Sequence, residues 1–239
     1  MQAQFISDLH LTPERPDIAR AFLRFMDEQA PKSDALYILG DFFEYWVGDD
    51  AMEPFHRNIA DKLRQYTNAG HQLFFMPGNR DFAVGRQFLK RTGARWLNDP
   101  CTIELNGEKI LLMHGDLLCT DDEQYQKYRR RIRHPLVLGF LRLLPLSYRK
   151  KLGARIRSNS KAAKTGKSLE IMDVNHDEVI RVMEQYQVKT LIHGHTHRPD
   201  THTVPLSAGT GQRIVLGDWD QFGWVLPSDK GLLQERFSL

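Results

Sequence analysis

Cysteine is scarce in this 239-residue chain, which has two, Cys101 and Cys119. Two cysteines cannot make the disulfide framework of a small secreted domain, so reduced, buried thiols in a cytosolic protein are expected. Long apolar runs are missing as well. The stretch LVLGFLRLLPL over 136–146 falls well short of the roughly 20 residues that span a bilayer. The opening MQAQFISDLH has no basic start followed by an apolar core, so no signal peptide is expected. No Ser or Cys has a base beside it in sequence, which leaves covalent catalysis without a candidate nucleophile. Repeats and disordered linkers are absent too, so one domain over 1–239 is expected. What remains, 41% hydrophobic and 26% charged, is ordinary for a soluble globular protein with a sizeable core.

Acidic residues are the scarce type in one segment only. Residues 121–167 hold fourteen Lys/Arg and three Asp/Glu, a charge of +11. The whole chain has 33 and 30, so 19 stand against 27 elsewhere, a charge of −8. An acidic body with a strongly basic insertion concerns partners rather than fold. An anionic substrate, nucleic acid and an anionic membrane surface all fit.

Short apolar runs predict strands at 3–7, 35–39 and 72–76. Residues 101–105 and 109–113 flank Asn106-Gly107, a hairpin signal. Further strands are predicted at 188–192, 202–206, 213–217, 222–226 and 232–237. Helical spacing of Ile18, Phe22, Phe25 and Met26 predicts a helix that ends at Pro31. Asp50 with Glu53 predicts a capping box for a helix over 51–69, and Thr120 with Glu123 predicts another. Asp81 is expected to cap a helix running from Phe82 towards Arg91, and Asn175 with Glu178 to cap a helix carrying Val179, Val182, Met183 and Tyr186. The basic insertion reads as helical but interrupted at Pro135 and Pro145. A βα half followed by a strand-rich half implies two packed sheets with helices outside.

Several strands run into residues that bind metals. Asp8 and His10 follow the first, Asp41 the second, Asn79 the third, and His114 the hairpin. His195 and His197 follow the strand that ends in LIHGHTHRP. Ligands in loops beyond strand carboxyl ends are typical of α/β sheets. Seven O and N donors suit two divalent ions if one carboxylate bridges, and Asp41 is the natural bridge. Four histidines favour Mn, Fe or Zn over Mg. Two such ions can hold a hydroxide and clamp phosphoryl oxygens, so the chain reads as a hydrolase of phosphate esters or anhydrides. His56, His71, His134 and His202 read as surface or satisfied polar residues, and His193 as a non-ligand beside the HGHTH turn. Asp116 is a candidate cap or an orienter of a ligand histidine.

In this order, DLH, GDFFE, GNRD, HGD and GHTH resemble the motifs of the calcineurin-like metallophosphoesterases. The resemblance implies an α/β fold, a four-layer αββα sandwich with 121–167 as an inserted basic helical lid. It implies Asp8, His10, Asp41 and His197 on one metal, and Asp41, Asn79, His114 and His195 on the other. The longer blocks SDLHL, LYILGDFFEYWVGDD, GNRDF, MHGDLLCTDD, RSNSK, KSLEIMDVN and LIHGHTHRP are similar to one branch of that family, which acts in lipid A synthesis of Gram-negative bacteria. That branch implies two Mn²⁺ ions per chain and hydrolysis of the pyrophosphate of UDP-2,3-diacylglucosamine to UMP and 2,3-diacylglucosamine 1-phosphate. Metal-activated water would attack the α phosphorus, with Asp41, Asn79, Arg80 and His195 as the catalytic group. Implied substrate contacts are Asn79, Arg80, Asp122, Tyr125, Asn159, Ser160, Lys164, Lys167 and His195. The implied placement is peripheral, on the anionic cytoplasmic face of the inner membrane, with no nucleic acid and no obligate protein partner. Many family members carry histidine where this chain has Arg80. A pyrophosphate has a good leaving group that needs little protonation, and a guanidinium pairs with phosphate oxygens, so Arg80 argues for an anhydride.

Two rivals stay open. A broader dinuclear-metal phosphodiesterase would use the basic insertion on nucleotides or nucleic acid. A catalytically idle membrane-binding scaffold would keep the metals for structure. Turnover of a lipid-linked UDP-sugar separates both from the main reading.

Overall fold

A computed structural model describes residues 1–165 and 173–239, with side chains described outside 157–165. Four strands run parallel at the centre of the first sheet: β1 (Ala3–Ile6), β2 (Ala35–Leu39), β3 (Gln72–Met76) and the two-residue β4 (Arg95–Trp96). The second sheet is built on the hairpin of β5 (Cys101–Leu105) and β6 (Glu108–Leu112), then β7 (Thr190–His193), β8 (Asp200–Leu206) and β9 (Gly209–Val215). The chain then returns to the first sheet with β10 (Phe222–Pro227) and β11 (Glu235–Ser238), giving the orders β11-β10-β1-β2-β3-β4 and β5-β6-β7-β9-β8. Both sheets are mixed, because β10 and β11 are antiparallel in the first and β5 and β8 in the second.

The strand sequences explain the layering. β1 and β2 (AQFI and ALYIL) are buried along their whole length, as a strand covered on both faces requires. Phe5, Tyr37, Leu39 and Met76 of the first sheet pack on Ile110, Leu112, Ile192 and Ile214 of the second. The outer face of the first sheet, with Ile6, Ile38 and Phe75, takes three helices: α1 (Pro16–Glu28), α2 (Pro54–Asn68) and α3 (Arg86–Thr92). The insertion between β6 and β7 holds α4 (Glu123–Ile132), α5 (Pro135–Leu143) and α6 (Leu146–Thr165), and is followed by α7 (His176–Tyr186). Val179, Val182 and Met183 of α7 cover Leu111, Met113 and Leu191 on the outer face of the second sheet. The predicted αββα layering is therefore present, with a helical insertion beside it. Asn106 and Gly107 both take positive φ, 53° and 84°, as a two-residue hairpin turn demands.

Several local expectations are corrected. α2 begins at Pro54, and its box is formed by Glu53 and His56. Asp50 lies in a preceding 3-10 turn and binds Arg149 instead. Asp81 caps no helix. It is wholly buried and accepts the N–H groups of Phe42 (2.8 Å), Phe43 (3.3 Å) and Gly78 (2.7 Å). The first turn of α3 is capped from a distant loop, by Asp49, which accepts from Gly85, Gln87 and Phe88. α4 is capped by Asp122, which accepts from Tyr125 N (3.1 Å), rather than by Thr120. α7 is capped by Asn175 as expected, and the insertion breaks into separate helices at Pro135 and Pro145.

The charge asymmetry has an internal use. Arg129 of α4 pairs with Asp99 (3.0 Å) and Asp116 (2.7 Å), and Lys150 of α6 with Glu53 (2.6 Å). Arg149 pairs with Asp50 and donates to the carbonyl of Val47 (2.6 Å). Part of the insertion's positive charge thus fastens it to the acidic body.

Candidate metal centre

The loops beyond the parallel strands of both sheets meet at one edge. β1 leads to Asp8 and His10, β2 to Asp41, β3 to Asn79 and Arg80, β6 to His114, and β7 to His195 and His197. Two groups of donors form there, Asp8–His10–His197 and Asp41–His114–His195. These six residues come from separate motifs of the sequence.

Backbone conformation aims these side chains. Asp8, His10, Asp41, His195 and His197 all have positive φ, between 49° and 71°. This left-handed region costs a residue with a Cβ roughly 1–2 kcal/mol, and such strain concentrates at functional sites. Neighbouring bonds hold it: Asp8 N donates to Gly40 O (3.1 Å), His10 N to Asp41 O (2.9 Å), and His195 N to Asp8 Oδ2 (2.9 Å). Two glycines leave necessary room. A Cβ on Gly194 would sit 2.1 Å from Asp8 Oδ2, and one on Gly78 would sit 2.2 Å from Asp41 Oδ1.

The donor atoms fit cations. Asp8 Oδ2 accepts from Ser7 Oγ (2.6 Å) and His195 N, which leaves Oδ1 buried without a partner, 3.5 Å from His197 Nε2. His10 Nε2 and His197 Nε2 face each other at 3.3 Å. In the second group, His114 Nδ1 donates to Leu39 O (2.9 Å), so that in its neutral form the ring presents the Nε2 lone pair inward. Asn79 Oδ1 lies 3.0 Å from both His114 Nε2 and His195 Nδ1. Asp41 stands between the groups, with Oδ1 3.7 Å from His114 Nε2 and Oδ2 3.9 Å from His10 Nε2. Converging acceptors of this kind, one of them an orphaned buried carboxylate oxygen, call for positive ions between them. The chain has a dinuclear metal-binding site.

The two groups differ electrostatically. Burial and then charge on His114 push the His195 pKa down to about 4, which keeps that ring neutral and able to ligate near pH 7. Burial opposes charge on His197, but Asp218 and Asp8 outweigh it and raise its pKa to about 10, so a cation has to displace a proton from this ring before it can serve as a ligand. Burial and then Asp41 push Asp81 up to about 6. Neither Cys101 nor Cys119 is in a disulfide, and burial pushes Cys101 up to about 11 and Cys119 to about 12; neither is a ready nucleophile.

Two neighbours lie outside the seven ligand candidates, although Glu44 closes the motif GDFFE and Asp218 follows the apolar run at 213–217. Asp218 Oδ2 lies 3.3 Å from His197 Nδ1, and Glu44 Oε2 lies 3.2 Å from His10 Nδ1. A carboxylate on the far nitrogen of a ligand imidazole orients the ring and raises its basicity. Asp218→Asn is expected to weaken binding of Mn²⁺ by about 10–100-fold, read by titration calorimetry on metal-free protein. An unchanged affinity would mean that Asp218 does not orient His197. Asp116 orients no ligand histidine by hydrogen bond; it binds Tyr125, Arg129 and Arg133 of α4. His193 donates from Nδ1 to Gly194 O (2.8 Å), and Arg213 Nη1 lies 3.2 Å from its Nε2, so both nitrogens serve the fold.

A cavity of about 160 Å³ opens from the metal site under the insertion. Asn79, Arg80 and Tyr125 line its polar end; Trp46, Phe82, Leu138, Leu141, Leu152 and Ile156 are among its apolar walls, and Arg129, Arg133, Arg142 and Arg149 also line it. The Tyr125 ring stacks beside His195, with centroids 6.3 Å apart. The predicted contacts Asn79, Arg80, Tyr125 and His195 thus come together. Asp122 is the cap of α4 and does not line the cavity. The side chains of Asn159, Ser160 and Lys164, and the whole of Lys167, lie outside the described residues.

A model of the calcineurin-like phosphoesterase family matches residues 3–199. The chain is 53% identical over 240 residues to a UDP-2,3-diacylglucosamine hydrolase of Pseudomonas aeruginosa, covering 100% of both chains. It is 54% identical over 225 residues to the Pseudomonas syringae pv. tomato protein of that name, covering 94% of this chain and 91% of the relative. The corresponding Ectopseudomonas mendocina protein is 52% identical over 235 residues, with 98% and 97% covered. With its whole ligand-bearing frame inside the matched span, the chain belongs to the calcineurin-like phosphoesterase family, as a hydrolase with a dinuclear metal site.

Proposed function

We propose that this hydrolase cleaves the pyrophosphate bond of UDP-2,3-diacylglucosamine, releasing UMP and 2,3-diacylglucosamine 1-phosphate. The observation that carries the reading is the cavity. It joins a polar end at Asn79 and Arg80 to an apolar chamber of Trp46, Phe82, Leu138, Leu141, Leu152 and Ile156. A pyrophosphate with attached acyl chains has that same polarity profile. The relatives more than 50% identical, named for hydrolysis of this compound, support it.

Asp8, His10, Asp41 and His197 would hold one ion, and Asp41, Asn79, His114 and His195 the other. Four imidazoles beside two carboxylates suit Mn²⁺. When bound, such ions supply Lewis acidity, lowering the pKa of water and neutralising phosphoryl charge. Water attacks the α phosphorus, and the bond from that phosphorus to the bridging oxygen breaks. The leaving sugar 1-phosphate departs with that oxygen and needs little protonation. Arg80, whose side chain is 15% exposed at the cavity's polar end, pairs with phosphoryl oxygens as charge builds. Tyr125 closes the site beside His195, and the insertion excludes water from the acyl chains.

The same reading has the protein working peripherally on the cytoplasmic face of the inner membrane. No helix among the described residues is long and apolar enough to cross a membrane. On α5, however, Leu136, Phe140 and Leu143 are 78%, 62% and 84% exposed, and their spacing puts them on one helical face. An interfacial helix presents such a face to lipid.

Metal-free protein should be reloaded with Mn²⁺ and given UDP-2,3-diacylglucosamine in detergent and ¹⁸O-water. UMP carrying the label, with unlabelled sugar phosphate, is the expected result by mass spectrometry. Cleavage of a generic phosphodiester without cleavage of this substrate would overturn the proposal in favour of a broader phosphodiesterase. The cavity makes a second prediction. Leu138 and Leu141 are half-buried, so each contributes less than the roughly 1.5–3 kcal/mol of a fully buried leucine; at about 1.4 kcal/mol each, replacing both by glutamine should reduce kcat/KM for the diacylated substrate by about 100-fold. Turnover of bis(4-nitrophenyl) phosphate should stay within about twofold. Equal losses would mean that these leucines only hold the insertion together.

A further inference from the structure

α4 and its C-terminal cap residue present three side chains at helical spacing, Tyr125, Arg129 and Arg133, all aimed at one buried oxygen. Asp116 Oδ2 accepts from Tyr125 OH (2.5 Å) and Arg129 Nε (2.7 Å), and Arg133 Nη2 lies 3.4 Å away. From this hub each side chain reaches a different ligand-bearing loop. The Tyr125 ring lies beside His195. Arg129 Nη2 donates to Asp99 Oδ2 (3.0 Å), and Asp99 Oδ1 accepts from His114 N (3.3 Å). Arg133 Nη2 donates to the carbonyl of Gly78 (2.8 Å), immediately before Asn79 and Arg80.

The last of these bonds stands apart. The Gly78–Arg80 segment is fixed at four backbone atoms. Gly78 N is held by Asp81 (2.7 Å), Arg80 N by Asp41 (2.8 Å), and Arg80 O by Trp46 N (3.1 Å), all from the αββα body. The Gly78 carbonyl is held from the insertion, by Arg133. That peptide carries no side chain to brace it, because a Cβ on Gly78 would strike Asp41. Its orientation sets where Asn79 Oδ1 stands between His114 and His195, 3.0 Å from each.

We infer that Arg133 is a positioning residue. Through the Gly78 carbonyl it fixes the placement of Asn79 and Arg80, so the phosphate site is set in working geometry only while α4 is docked. The inference rests on the two-metal reading of the site and does not depend on which phosphate compound is cleaved. A displacement on the order of 1 Å in a reacting constellation costs up to about 100-fold in rate. Lysine can keep one donor to Gly78 O, although it lacks the guanidinium fork; methionine keeps the apolar stem and no donor.

Full-length Arg133→Met and Arg133→Lys are compared with the parent protein, reloaded with Mn²⁺. Turnover of bis(4-nitrophenyl) phosphate and Mn²⁺ binding by titration calorimetry are both measured. The parent should bind two Mn²⁺, and a parent that binds none would overturn the two-metal reading and this inference with it. With the parent loaded, Arg133→Met should lower kcat by about 10–100-fold with KM within about twofold, and weaken the second Mn²⁺ by about 10-fold or more. Arg133→Lys should recover at least half of the lost kcat on a logarithmic scale. A rise in KM with kcat unchanged would overturn the inference by making Arg133 a substrate ligand. So would equal impairment of the two variants, which would trace the effect to the Asp116 pair. Should Arg133→Met not fold, Arg133→Leu, which also lacks a donor, takes its place in the same comparison, and parental kcat and Mn²⁺ affinity in the folded donorless variant overturn the inference.

Discussion

Asp41→Ala is expected to lower kcat by at least about 1,000-fold and to leave fewer than two Mn²⁺ per chain. The carboxylate has one oxygen towards each donor group, 3.7 Å from His114 Nε2 and 3.9 Å from His10 Nε2. If it holds both ions, as proposed, removing it would take a ligand from each, whereas removing His10 or His197 would take one from a single ion. Charge stabilisation by bound metal is worth several kcal/mol, and about 4 kcal/mol is about 1,000-fold in rate. Asp41 also accepts the N–H of Arg80 (2.8 Å), so alanine loosens the phosphate-facing loop as well. Asp41→Asn separates the two losses, because its carboxamide oxygen can still accept from Arg80. Metal content by plasma emission, read beside kcat, is the measurement. Two bound ions and full turnover in Asp41→Ala would refute the bridging role.

Part of this site was open to reading from the chain. Apolar runs such as ALYIL at Ala35–Leu39 mark buried parallel strands, and a metal-binding residue type directly after each run marks a shared edge. Asp8, His10, Asp41, His114, His195 and His197 followed from that rule, and the structure gathers them. The residues that orient them did not. Asp218 directly follows the apolar run at 213–217, the same signal, but it meets His197 only because β9 pairs parallel to β7, which no local pattern shows. Asp81 looked like a helix cap because capping is the commonest local use of an Asp before a helical stretch. Its real partners are the N–H groups of Phe42 and Phe43, nearly forty residues earlier. Asp49 caps α3 at a similar distance. The positive φ at five ligand candidates was invisible for another reason. Glycine or asparagine advertises that conformation, whereas Asp and His adopt it here only because the surrounding hydrogen bonds hold them there. The charge count of the basic insertion was plain, but nothing in the sequence marked that Arg129, Arg149 and Lys150 answer acids of the body.

That docking gives the other large effect. Asp116→Ala should destabilise the protein by about 3 kcal/mol or more, the usual cost of removing one partner from a buried ion pair. Asp116 is wholly buried, and alanine would leave Tyr125 OH, Arg129 Nε and one donor of Arg133 without their acceptor. For a chain of this length about 3 kcal/mol corresponds to a fall in Tm of roughly 6–12 °C. Asp122→Ala is the control on the same helix. It removes a cap that accepts from Tyr125 N (3.1 Å), a loss of about 1 kcal/mol. The pH dependence carries the same signature. Burial alone would raise the Asp116 pKa, but His114, Arg133 and Arg129 outweigh it and hold the group well below the usual carboxylate range. A carboxylate with a depressed folded pKa contributes stability above its unfolded value, about 3.9, and loses it as pH falls through the folded one. The Tm gap between parent and Asp116→Ala should therefore be full at pH 6 and narrow as the pH is lowered below about 4. Scanning calorimetry at several pH values measures both. A gap no larger than that of Asp122→Ala at pH 6 would mean that α4 is held by something other than this buried carboxylate.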